Sequence, residues 1–193
     1  MAIPKILVLS SSTRTGSYNT KLAALAAKEL TLGDADVTRI SLTDYDLPVY
    51  DADLDARAGQ PANALRLKQM IMAHHGVFIA SAEYTASVTP VLKNAIDWVS
   101  RVRERGDPAN AAFRIRVFAI AAASAEPGGG QHSLMALRQI LEAGCGALVI
   151  PEQVVVADAA QAFDDMDNLV EVRTANALRA QLTRLSEMAQ LMM

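Results

Sequence analysis

Cysteine, tryptophan and histidine are nearly missing from this chain, at one, one and three in 193 residues. The single cysteine, Cys145, cannot form an internal disulfide, which fits a reducing cytoplasm. It stands in Ala-Gly-Cys-Gly-Ala-Leu and reads as a small buried apolar side chain. The histidines do not read as a metal set. His74 and His75 are adjacent, so on a helix their side chains diverge by about 100°, and His132 sits alone beside glycines, most simply in solvent. An excess of positive charge is also absent, since the formal net charge is −3. No basic face for nucleic acid is implied, and no membrane-surface partner either. No apolar run approaches the ~20 residues of a membrane span, and Ile6–Leu9 is too short for a signal-peptide core. Repeats, low-complexity segments and Pro/Gly/Ser linkers are missing, so residues 1–193 read as one domain. Two nucleotide signatures are missing as well: Gly-x-x-x-x-Gly-Lys-Ser/Thr, and a Gly-x-Gly-x-x-Gly after the first apolar run. Asp164, Asp165 and Asp167 lack the longer ligand pattern of a calcium loop and read as a solvated turn.

What is present is alternation. Hydrophobic residues make up 51% of the chain, enough to fill a core. Ile6–Leu9 predicts a strand, and Leu22, Leu25, Ala26 and Leu30 follow at helical spacing. Val37–Leu42 alternates as a second strand would. Thr43–Pro61 is polar and broken by Pro48 and Gly59. Ala64–His74 reads as a helix, and Gly76–Ala80 as a strand covered on both faces. Thr89-Pro90 opens a helix with a favoured N-cap and a favoured first residue. Ile115–Ala123 is a fourth strand, Ser133–Ala143 a helix, Ala147–Ile150 with Val154–Val156 a fifth strand region, and Thr174–Met188 a closing helix. This order argues for an α/β three-layer sandwich, a parallel sheet with helices on both faces. Five strands suit the flavodoxin-like order 2-1-3-4-5, an order taken from the fold class.

In such sheets ligands bind beyond the carboxyl ends of the strands, where strand order reverses. Three loops should meet there. Ser10–Asn19 is dense in hydroxyls, carries Arg14 and runs into a helix, whose N-terminus suits an anion such as a phosphate monoester. A helix-capping Ser17 or Asn19 and a solvated Arg14 explain the same residues equally well. Ser81–Thr89 places Tyr84 where its ring could lie on a flat heterocycle, or simply on the surface. Ser124–Gln131 holds Gly128, Gly129 and Gly130, which permit close backbone approach to a ligand or form a flexible turn. Lys93 and Asp97, four apart, read as a helix ion pair.

Together these loops resemble the NAD(P)H-dependent FMN reductase family, with its flavin, chromate, azo and quinone reductases. The family's Gly-Ser-x-Arg-x-x-Ser-x-Asn is matched by Ser11-Ser12-Thr13-Arg14-Thr15-Gly16-Ser17-Tyr18-Asn19, with Ser11 for the glycine. Its Pro-Glu-Tyr-Asn-x-Ser and Leu-Lys-Asn-Ala-Ile-Asp-Trp are matched by Ala82-Glu83-Tyr84-Thr85-Ala86-Ser87 and Leu92–Trp98, with Ala82 for proline and Thr85 for asparagine. Ser124, Gly128–Gly130 and Leu137-Arg138 match the third motif. The resemblance implies that Ser12, Arg14, Ser17 and Asn19, with Tyr18 among them, hold the FMN phosphate. It implies that Ala82, Glu83, Tyr84 and Thr85 line the isoalloxazine, with Ser124, Gly128 and Gly129 beside it. The implied activity is hydride transfer from NADPH or NADH to FMN, then electron transfer to a small acceptor: a quinone, chromate, an azo compound or free flavin. No protein acid, base or nucleophile is required. A cytoplasmic homodimer or homotetramer is also implied. Two other readings stay open: a flavin-binding protein without turnover, its grip loosened at Ala82 and Thr85, and an electron carrier that does not oxidise NAD(P)H.

Overall fold

A computed structural model describes residues 3–193. In chain order its elements are β1 (Lys5–Ser10), α1 (Tyr18–Leu32), β2 (Asp36–Ser41), a 3-10 turn (Leu42–Asp44), α2 (Ala52–Ala58), α3 (Ala62–Met72), β3 (Gly76–Ala80), β4 (Glu83–Tyr84), β5 (Ser87–Val88), α4 (Pro90–Arg101), α5 (Ala111–Arg114), β6 (Val117–Ala123), α6 (Gln131–Gln139), a π turn (Ile140–Gly144), β7 (Leu148–Val156), α7 (Ala159–Ala162) and α8 (Val172–Leu191). The main sheet is five-stranded and wholly parallel, in the order β2-β1-β3-β6-β7. Counting only its own strands, this is the expected 2-1-3-4-5 arrangement, the flavodoxin-like fold.

Period-two alternation divides the sheet's side chains between two cores. Ile6, Val8, Phe78, Ala119 and Ala121 face α1 and α8, meeting Leu22, Ala26, Leu182 and Leu185. Leu7, Leu9, Val77, Ile79, Phe118 and Ile120 face the other way, onto Leu67 of α3, Ile96 of α4 and Leu134 and Leu137 of α6. Every residue of β3 and β6 is buried. Their apolar runs show no alternation because neither face meets water.

The fifth strand region departs from its expected form. Two pieces flanking Pro151 are one strand, β7. It is an edge strand, where proline's missing N–H is tolerated, and its register against β6 shifts between Phe118 and Ile120. Gln181, fully buried on α8, bridges the irregularity by donating from Nε2 to the carbonyls of Ile120 at 2.8 Å and Glu152 at 2.9 Å. The helix expected over Ala64–His74 spans Ala62–Met72 instead. His74 and His75 lie beyond it: His74 Nδ1 meets the Met70 carbonyl at 2.7 Å, and His75 Nδ1 accepts the Lys5 amide at 3.0 Å. The α2 helix and the β4–β5 hairpin lie within segments read as polar or loop, and the short α5 and α7 helices lie where the sequence pattern assigns no element.

The Leu92–Trp98 motif has a tertiary task. Asn94 accepts the Tyr50 amide at 2.8 Å and donates to the Pro48 carbonyl at 2.9 Å; the Trp98 indole donates to that carbonyl at 2.7 Å. Tyr50 packs edge-on against Trp98, ring centroids 5.0 Å apart. The motif therefore pins the long segment after β2 to α4. Lys93 and Asp97 form the expected pair across one turn, at 2.7–2.8 Å. Lys68 of α3 is buried and bonded to Glu104, at 2.8 Å, and to Asp107. That triad ties down the loop between α4 and α5.

Candidate functional site: three loops bonded at the carboxyl edge

β1, β3 and β6 are neighbours, so the loops that leave their carboxyl ends meet, and specific bonds join them. Ser11, fully buried, accepts the Ala82 amide through its hydroxyl at 2.7 Å, and its carbonyl accepts the Thr89 hydroxyl at 2.9 Å. Asn19 links the first loop to the end of β6, donating to the Ala123 carbonyl at 2.8 Å and accepting the Ala123 amide at 2.9 Å. Glu83 links the second loop to α6, accepting the Ser133 amide at 3.0 Å, with His132 Nδ1 3.3 Å away. Gly130, formally the N-cap of α6, offers no capping side chain, so Glu83 supplies the acceptor from another segment. The Ser133 hydroxyl bonds to Ser81 Oγ at 2.6 Å and donates to the Ala82 carbonyl at 3.2 Å. Thr89 and Ser133 take part here, although in sequence they stand only as a helix cap and the start of a helix.

The first loop turns through Gly16, at φ +68°. Ser17 N-caps α1 by accepting the Asn19 amide at 3.2 Å. The first turn of α1 has no acidic residue, leaving the positive end of its dipole uncompensated. Arg14 is exposed, its guanidinium 5.9 Å from the Tyr18 ring centroid. Among the described residues, the amides of Thr13, Thr15, Gly16 and Tyr18 have no protein acceptor. This is a donor-rich, cation-bearing mouth, the chemistry a phosphate monoester requires. Clefts of about 320 Å³, lined by Thr13, Tyr45, Leu47 and Asn94, and about 280 Å³, lined by Ser12, Thr20, Arg39 and Ser41, flank it.

The second loop is the β4–β5 hairpin. Thr85 and Ala86 form its two-residue turn, both left-handed, at φ +49° and +58°. Primed turns favour Asn-Gly there, and a β-branched residue with positive φ is strained. Tyr84, in the strand before the turn, is 53% exposed. In the third loop Ser124 Oγ accepts the Glu126 amide at 3.1 Å and Gly128 is exposed. Gly129 and Gly130 serve the sheet: a Cβ at Gly129 would lie 2.2 Å from Val155 Cγ1, and one at Gly130 would lie 2.8 Å from Ala122 Cβ.

The expected residues thus fall into two groups. Arg14, Tyr84, Thr85 and Gly128 are exposed and Ser12 and Tyr18 half-buried, so these remain accessible to a ligand. Ser17, Asn19, Ala82, Glu83, Ser124 and Gly129 fasten the loops to one another or to the sheet; Asn19, 3% exposed, has its carboxamide turned to β6 rather than to the opening. Cys145 is buried, and burial pushes its thiol up to about 11, so it is protonated at neutral pH. Asp164 closes its acidic turn by accepting the amides of Met166 and Asn168 at 2.9 and 2.8 Å; these bonds, those of Asn168 foremost, hold its carboxyl below the usual range.

A doubly wound parallel sheet with a phosphate-type loop at its switch point defines a flavodoxin-like nucleotide-binding protein. The sequence profile described as NADPH-dependent FMN reductase matches residues 4–161, and the chain belongs to that family. It is 31% identical to an NAD(P)H-dependent FMN reductase of Pseudomonas aeruginosa over 185 residues, 94% of this chain and 92% of that one. A quinone reductase of Escherichia coli K12 is 36% identical over 102 residues, 52% of this chain and 53% of that protein. Among solved structures, FerB, a flavoenzyme NAD(P)H:(acceptor) oxidoreductase from Paracoccus denitrificans, superposes with a TM-score of 0.77 at 25% identity, covering 98% of each chain. The protein is accordingly an oxidoreductase with FMN and NAD(P)H as its cofactors. Among the described residues, no helix is long and apolar enough to cross a membrane.

Proposed function

We propose that this chain, residues 1–193 acting as one FMN-binding domain, is an NAD(P)H-dependent FMN reductase that delivers electrons to a small quinone-type acceptor. The single observation that carries the reading is an anion-suited first loop, with Arg14 and unpaired amides, bonded through Ser11 and Ala82 to the segment that leads into the hairpin bearing exposed Tyr84. FMN held there would supply hydride and electron-transfer chemistry between the nicotinamide and the acceptor. The chain's own residues position. Arg14, the Ser12 hydroxyl and the free amides of the first loop take the phosphate. The Tyr84 ring would pack against the flavin, with backbone groups of Thr85 and Gly128 available beside it. Glu83, spent on the α6 amide, is a brace. The quinone class rests on the likeness to quinone reductases. A homodimeric or homotetrameric assembly in the cytoplasm completes the reading; the assembly rests on the family resemblance and the cytoplasm on the lone cysteine.

The test is the absorbance spectrum of the purified protein with FMN, before and after NADPH, without oxygen. Bleaching of the bound flavin band, and its return on adding a benzoquinone, is the expected outcome. Binding without bleaching would make the protein a carrier, and absence of binding would remove the flavin site.

A further inference from the structure

The segment between β7 and α8 folds back over the start of α1. Phe163 bridges to Leu169, and the Asp164 turn closes the strap between them. Its aromatic ring lies parallel to that of Tyr18, 4° between planes and 6.4 Å between centroids. Arg14 in turn packs on Tyr18. Two polar bonds fix the strap to α1: Lys21 to Asp167 at 2.6 Å, and Lys28 to the Asn168 side-chain Oδ1 at 3.1 Å. The start of the strap is fixed to the third loop, where the Ala159 amide donates to the Ser124 carbonyl at 3.0 Å. Phe163, Asp167 and Asn168 all lie beyond residue 161, where the family match ends.

Arg14 has no carboxylate or carbonyl partner among the described residues. With no polar partner to hold its guanidinium, the contact with the Tyr18 ring guides the direction of this long side chain. Tyr18 occupies the first position of α1, where its own ring is set by what lies against it. Here Phe163 stacks on that ring, at the edge of the core against α1 and α8.

We propose that Phe163 is a positioning residue for the flavin phosphate: the strap fixes Tyr18, Tyr18 orients Arg14, and Arg14 meets the phosphate. This rests on the FMN-site reading above. Its consequence is selective. The strap should favour FMN over riboflavin, which has the same ring system and no phosphate.

The experiment is titration of the full-length protein with FMN and with riboflavin, following flavin fluorescence. Phe163→Ala should weaken FMN binding roughly three- to tenfold, the scale of one aromatic and cation–π contact, and leave riboflavin within twofold. Phe163→Tyr should restore FMN binding. In an Arg14→Ala background, Phe163→Ala should have no further effect on FMN. Asp167→Asn, a surface change that loosens the same strap, should shift FMN in the same direction and serves if Phe163→Ala fails to fold. Equal losses for both flavins, or an undiminished Phe163→Ala effect without Arg14, would overturn the inference. A wild-type protein that binds riboflavin as tightly as FMN would instead overturn the phosphate site itself.

Discussion

Ser11 and Ala82 both depart from the family pattern, and the structure shows why they should depart together. The family's glycine and proline at these positions offer no hydroxyl and no amide hydrogen. Here the Ser11 hydroxyl accepts the Ala82 amide at 2.7 Å, with Ser11 fully buried and Ala82 8% exposed. Ser11→Gly leaves that amide buried without an acceptor, a cost of about 1–3 kcal/mol. Ala82→Pro puts the ring Cδ where the amide hydrogen points, against the hydroxyl, and strands the oxygen as well; about 2–4 kcal/mol follows. In the double variant donor, acceptor and clash all disappear, which is nearly neutral in principle. The two changes should therefore couple favourably by about 2 kcal/mol or more. Urea unfolding of the four proteins measures this, since each midpoint converts to free energy through the common slope. FMN titration of the same set should follow the same order, because the bond joins the phosphate loop to the hairpin that carries Tyr84. Costs that add within about 0.5 kcal/mol would refute the argument, for independent sites behave that way.

Three further outcomes are expected. Tyr84→Ala should weaken FMN and riboflavin alike, by about 1 kcal/mol or roughly fivefold in titration, and a loss confined to FMN would count against ring packing. Thr85→Asn should stabilise the fold by about 0.5–1 kcal/mol in urea unfolding by relieving a β-branched residue at φ +49°; a loss would mean that the threonine side chain has a role of its own. Asp107→Asn should destabilise the protein at neutral pH by removing a carboxylate from buried Lys68. The hydrogen bond from Lys68 is the main cause that holds the Asp107 carboxyl below its usual range. The stability it adds is therefore full above the ordinary carboxylate range and is lost as pH falls through the depressed folded value. Unfolding measured against pH should show variant and wild type converging at the acid end, and a constant gap would reject the assignment.

The sequence by itself determined the layers of this protein. Runs such as Gly76–Ala80 and Val117–Ala123 are wholly apolar, so both their faces had to be covered, and helical patterns between the strands force parallel pairing. Motif-bearing loops at strand ends, Ser10–Asn19 and Ser81–Thr89, were legible for the same reason: their residue types and spacing are local. The short elements were not. The α2 helix buries no residue, and the β4–β5 hairpin has only four strand residues, so neither leaves a periodic signal. Only the tertiary structure shows what the motif side chains are bonded to within the protein. Asn19 and Glu83 look like ligand groups in sequence, yet the carboxamide of one is spent on Ala123 and the carboxylate of the other on Ser133. Pairings such as Ser11 with Ala82, Trp98 with Pro48 and Phe163 with Tyr18 span 71, 50 and 145 positions by the numbering. Nothing local encodes them, because a buried polar group takes whatever partner the packed fold brings within reach.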